Sequence, residues 1–122
     1  MKEVKEAVTK ISGRRGKKCY YILCCVVEAA IFYQPKEPQM KVLLADVRST
    51  VHHLQAKTIS KALSRAVDDI WQYGDRLALQ KLFGHSLIEK PSPKDLVFVL
   101  AQHLWAENLQ TKEEAGTLLS PR

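Results

Sequence analysis

Cysteine is scarce in this sequence, and what there is cannot be paired off. Cys19, Cys24 and Cys25 are the only three thiols in 122 residues. An odd count with an adjacent pair is a poor disulfide framework. The three lie in an apolar stretch, where a free thiol behaves as a small hydrophobe. A reducing cytoplasm is the compartment this pattern fits. Glycine and proline are also sparse, five of each, so little interrupts the helical recurrence of apolar residues. An all-α class is the default that follows.

Long apolar runs are missing too. The longest, Tyr20 to Val27, falls far short of the ~20 apolar residues that span a bilayer. Arg14-Arg15-Gly16-Lys17-Lys18 before it mimics the front of a secretory signal. That reading is excluded because the run starts deep in the sequence, Glu28 interrupts it, and no small-x-small cleavage site ends it. Neither a membrane span nor a membrane partner is expected.

Catalytic signatures are absent as well. There is no Gly-rich phosphate loop, no nucleophile elbow and no paired-carboxylate arrangement. His52 and His53 are adjacent but have no Cys or carboxylate at ligand spacing, and His85 and His103 stand alone. No catalytic residue, no metal and no cofactor is expected, and an enzyme ranks last among the function classes.

What the sequence does have is positive charge, unevenly placed. The formal net charge is +6. Residues 1–18 hold seven basic side chains against two acidic ones, and residues 36–65 hold six against two. Residues 66–122 reverse the balance, with six basic and eight acidic. A basic front half favours a polyanion, because clustered Lys and Arg gain by releasing phosphate counterions.

Apolar spacing divides the chain into helices. Val4, Ala7, Val8 and Ile11 mark one over 2–12, ended by Ser12-Gly13. Residues 17–33 are apolar nearly all round, which predicts a central buried helix. Met40, Leu43, Leu44, Val47 and Val51 define a helix over 39–51, and His52 to Gln55 reads as a tight connection. Ile59, Ala62, Leu63, Ala66, Val67 and Ile70 give the best-formed helix, 56–73, with Gly74 as a left-handed C-cap. Asp75 caps a short helix to residue 83, and Gly84 stops it. Ser92 with Pro93 at the first helical position opens the last helix, about 93–109, whose apolar stripe includes His103. Trp71 and Trp105 fall at core-like positions. Residues 1–110 are expected to form one six-helix domain, and 111–122 a flexible tail.

Two helices joined by about four residues, the second longer and strictly amphipathic, match a helix-turn-helix. The front of the second helix enters the major groove in that motif. At 100° per residue, Lys57, Thr58, Lys61, Ser64, Arg65 and Asp68 lie opposite Ile59, Leu63, Ala66 and Ile70. Thr58, Lys61, Ser64 and Arg65 are the candidate base readers. Arg14, Arg15, Lys18, Lys41, His53 and Lys57 are the candidate phosphate contacts, with the basic turn 14–18 expected beside the reading stripe. Asp68-Asp69 comes a turn beyond groove contact and is expected to be silent.

Several of these stretches occur in an ordered set: Trp71-Gln72-Tyr73-Gly74, Leu82-Phe83-Gly84, and Lys90-Pro91-Ser92-Pro93-Lys94-Asp95-Leu96. Upstream stand Ile11, Lys18-Cys19-Tyr20 and Glu28-Ala29. Over roughly residues 4–107 this resembles the C-terminal effector-domain family of the stage 0 sporulation response regulators. The resemblance implies a six-helix domain that binds promoter DNA through its helix-turn-helix, in tandem copies. Departures fall on the reading helix. The family carries Arg where this chain has Thr58, Glu at Ser60, Arg at Lys61, Arg at Ser64 and His at Arg65. Arg reads guanine bidentately and Lys does so less specifically, so the family's operator does not carry over. The turn is one residue longer, and the family's receiver domain and its phosphoacceptor aspartate have no counterpart here.

The expected function is therefore a sporulation-regulator-like, sequence-specific transcription factor. Its partner would be double-stranded DNA, bound by a monomer, a weak homodimer or a DNA-induced one, in a cytoplasmic, nucleoid-associated setting. The alternative is a protein–protein interaction module on the same scaffold that binds another regulator and has lost DNA.

Overall fold

The computed structural model describes residues 2–13, 18–50 and 54–119, with side chains through Asn108. Among them it is all-helical. The helices are α1 (Lys2–Ser12), α2 (Lys18–Tyr33), α3 (Met40–Thr50), α4 (Ala56–Tyr73), α5 (Arg76–Phe83) and α6 (Pro93–Leu119). The all-α expectation holds, and α4 has the bounds its periodicity predicts. α6 runs ten residues past its expected end near 109.

α2 is the central element. Tyr20, Ile22, Leu23, Cys24, Val26, Val27 and Ala30 are all buried. α4 and α6 pack along it, and α1 and α3 close its flanks. α4 contributes Ile59, Leu63, Ala66, Val67 and Ile70 to this core, and α6 contributes Leu96, Val97, Leu100 and Ala101. Helices with one apolar stripe wrap a helix apolar all round, which is the arrangement their patterns demand.

Caps behave as local chemistry dictates, with one exception. The Asp75 side chain accepts from the Ala78 N–H at 3.0 Å, and Gly84 ends α5 in the left-handed conformation at φ 81°. The Ser92 hydroxyl accepts from the Asp95 N–H at 3.1 Å. Gly74 departs from expectation: its backbone is extended (φ −80°, ψ −173°), not left-handed. Space explains the glycine instead. A Cβ there would lie 2.5 Å from the Ile11 carbonyl oxygen and 2.6 Å from that of Ile70. The Asp75 N–H donates to the same Ile11 carbonyl at 2.8 Å, so the end of α1 is docked on the end of α4.

Three more side chains differ from their expected places. His103 is exposed, off the apolar stripe of α6, with Nε2 3.1 Å from Glu107 Oε1. Trp71 and Trp105 are only half-buried.

Polar ties fasten the helices around α2. The buried Tyr20 hydroxyl donates to Asp69 on α4, and the Tyr33 hydroxyl donates to Asp46 on α3 at 2.6 Å. Tyr20→Phe deletes a hydrogen bond to a carboxylate and should cost about 1.5–3 kcal/mol in urea unfolding. A loss below ~0.5 kcal/mol would show that the bond does not hold α2 to α4.

Candidate nucleic-acid interface

α4 positions the candidate reading face. Its apolar residues turn inward, so Lys57, Thr58, Ser60, Lys61, Ser64 and Arg65 are all exposed. Among the described residues, Lys57, Lys61 and Arg65 make no ion pair. The acidic side chains further along the helix are engaged. Asp68 pairs with Lys90, and Asp69 takes the Tyr20 hydroxyl. The front of α4 thus keeps its cations for solvent while the rear has its carboxylates occupied within the fold. Gln55, at the N-cap, makes no side-chain capping bond, and no acidic residue sits in the first turn. The positive end of the helix dipole adds to Lys57 and Lys61.

Of the phosphate-contact candidates, Lys18, Lys41 and Lys57 fall among the described residues. Arg14, Arg15 and His53 lie outside the described residues. Lys18 is exposed, two residues from Tyr20, whose bond to Asp69 places the start of α2 at the rear of α4. Asp69 is eight residues from Lys61, about 12 Å along a helix rising 1.5 Å per residue. Lys18 therefore sits at the far end of the stripe, not beside Thr58. The cause is tertiary: α1 ends against Gly74 and Asp75, and the connection to α2 starts there. Arg65, one turn before Asp69, is the candidate reading residue nearest to it.

Lys41 is exposed on the first turn of α3. Seven residues on, Arg48 is exposed in the last turn, on the same side of the helix and opposite Leu43 and Val47. Sequence reading passed over Arg48, although its spacing from Lys41 was the available signal. In a helix-turn-helix the first helix crosses the backbone, which makes Arg48 a phosphate candidate beside Lys41.

The adjacent thiols Cys24 and Cys25 are poorly suited to chemistry. Burial pushes Cys24 up to about 11, and burial likewise raises Cys25. Both are protonated near neutral pH, so neither offers a reactive thiolate. Among the described residues, no group of three or more His, Cys, Asp or Glu side chains gathers as a metal site.

No protein-family model, no curated protein and no solved structure matches this chain. What fold and surface define is a class: an all-helical domain, with no helix among the described residues long and apolar enough to cross a membrane.

Proposed function

We propose that this protein is a sequence-specific DNA-binding transcriptional regulator, with α3 and α4 acting as its helix-turn-helix. The observation that carries this reading is the front face of α4, where exposed Lys57, Thr58, Lys61, Ser64 and Arg65 lie opposite a fully buried apolar stripe. Lys61 and Arg65, with Thr58 and Ser64, face the bases. Lys57, Lys41 and Arg48 meet phosphates, which position the protein without reading sequence. Lys18 serves the backbone at the rear of α4, and Arg14 and Arg15 are proposed as further phosphate contacts.

A salt-resolved fluorescence anisotropy titration on selected and random duplexes tests the reading. Affinity should fall steeply with salt, as neutralised phosphates release counterions. Lys61→Ala and Arg65→Ala should each cost ~1–3 kcal/mol on the selected duplex and relax its selection. Arg14→Ala should weaken all duplexes alike and lower the salt slope by about one. Absence of low-salt binding, or indifference to Lys61→Ala and Arg65→Ala, removes the assignment.

The second reading is a protein–protein interaction module on the same scaffold. Three apolar side chains favour it: Phe32 is 84% exposed, Leu77 72% and Ile88 94%. This reading takes over if the titration finds no DNA binding.

A further inference from the structure

The exposed stripe of α4 does not stop at Arg65. It continues through Asp68 and Gln72 into a shallow depression lined by Asp68, Trp71, Gln72, Arg76 and Lys90. At 100° per residue, Asp68 and Gln72 fall within about 20° of Lys61, so the depression opens on the same side as the reading residues.

Two cations from outside α4 meet at this depression, and both are held. The Arg76 guanidinium lies over the Trp71 ring, 3.5 Å from its centroid. Its Nη2 also donates to the Trp71 carbonyl at 2.7 Å. One of the five guanidinium N–H donors is used there, and the side chain is exposed, so others face solvent. Lys90 comes from the loop between α5 and α6. Its ammonium rests on the Asp68 carboxylate, and the next residue, Pro91, is buried and fixes the loop. Asp68 cancels one of the two positive charges, leaving the cluster at +1.

We infer that Arg76 and Lys90 form a phosphate clamp at the rear of α4 that grips a backbone phosphodiester of the same duplex. The inference rests on the groove-reading role of α4. Lys61 and Gln72 are eleven residues apart, about 16 Å of helix. The major groove is about 12 Å wide. A helix with its front in the groove therefore brings its rear to the sugar–phosphate rim. A stacked guanidinium and a tethered ammonium lose little freedom on binding, which is where preorganised groups gain. Asp68 then has a role opposite to the silence expected from sequence: it holds Lys90 at the rim while charging a cost in repulsion.

The test is anisotropy titration of the full chain on selected and random duplexes from 50 to 200 mM salt. Arg76→Gln and Lys90→Gln should each weaken both duplexes equally and leave the preference between them intact. Each should lower the salt slope by about one. The deficit should accordingly be roughly threefold larger at 50 mM than at 200 mM. Asp68→Asn should tighten both duplexes, because it removes a negative charge beside the clamped phosphate while its amide oxygen still accepts from the Lys90 ammonium, and no unfolded variant produces that result. Lys61→Ala serves as the separate check on the groove helix. If the wild type selects a sequence and Lys61→Ala relaxes that selection, but Arg76→Gln and Lys90→Gln keep wild-type slopes, the clamp is overturned and the reading helix stands. An Asp68→Asn variant that binds no better than wild type also counts against the clamp. Failure of the wild type to bind any duplex at 50 mM overturns both.

Discussion

Leu63→Ala should lower the unfolding free energy by about 2–5 kcal/mol, because the lost transfer energy of a buried leucine is joined by the cavity it leaves. Leu63 is 1% exposed and sits mid-way along α4, among Ile59, Ala66, Val67 and Ile70. α4 packs on α2, which is itself enclosed by other helices, so the site has little freedom to collapse into the gap. Urea denaturation gives the loss directly. A value under ~1 kcal/mol would mean that the inner face of α4 is not the core. The outer face would lose its basis with it, since Lys61 and Arg65 point outward only because Leu63 between them points in.

Gly74→Ala should be as damaging, on the order of 3 kcal/mol, for a reason no contact of the native side chain supplies. The added methyl would meet two backbone oxygens, Ile11 O at 2.5 Å and Ile70 O at 2.6 Å. Neither can retreat freely. Ile11 O accepts from the Asp75 N–H, and Ile70 O accepts from the Gly74 N–H, both at 2.8 Å. Room for the methyl comes by parting α1 from the end of α4. Gly84→Ala is the control. Gly84 has φ 81° and nothing within 4 Å of an added Cβ, so it carries only the ~1–2 kcal/mol left-handed strain. Thermal and urea unfolding of the two variants should rank Gly74→Ala well below Gly84→Ala. Equal losses would show that the approach of α1 is looser than the structure has it.

Much of the helix map was legible because it depends on neighbours in the chain. Ile59, Leu63, Ala66, Val67 and Ile70 recur at helical period, and that recurrence states both the element and its inner face. Asp75 and Ser92 announce helix starts because the groups they cap lie three residues on. The exposed positions Lys57, Thr58, Lys61, Ser64 and Arg65 follow from the same arithmetic, as the complement of the buried stripe. The length of α6 was less legible, since its apolar pattern weakens after Leu104 while the helix continues to Leu119.

Long-range packing settled the rest. Gly74 reads as a left-handed cap, since glycine after a helix usually is one, yet a distant carbonyl from α1 is what demands it. Asp68 and Asp69 read as a silent acidic pair beyond groove contact until Lys90, 22 residues away, and Tyr20, 49 residues away, are brought to them. Lys18 moves to the rear of α4, and Arg76 settles on Trp71, for the same kind of reason. Periodicity reports which side of a helix is buried, because one element's own geometry sets it. Which charge ends beside which depends on how helices cross, and no local pattern encodes that.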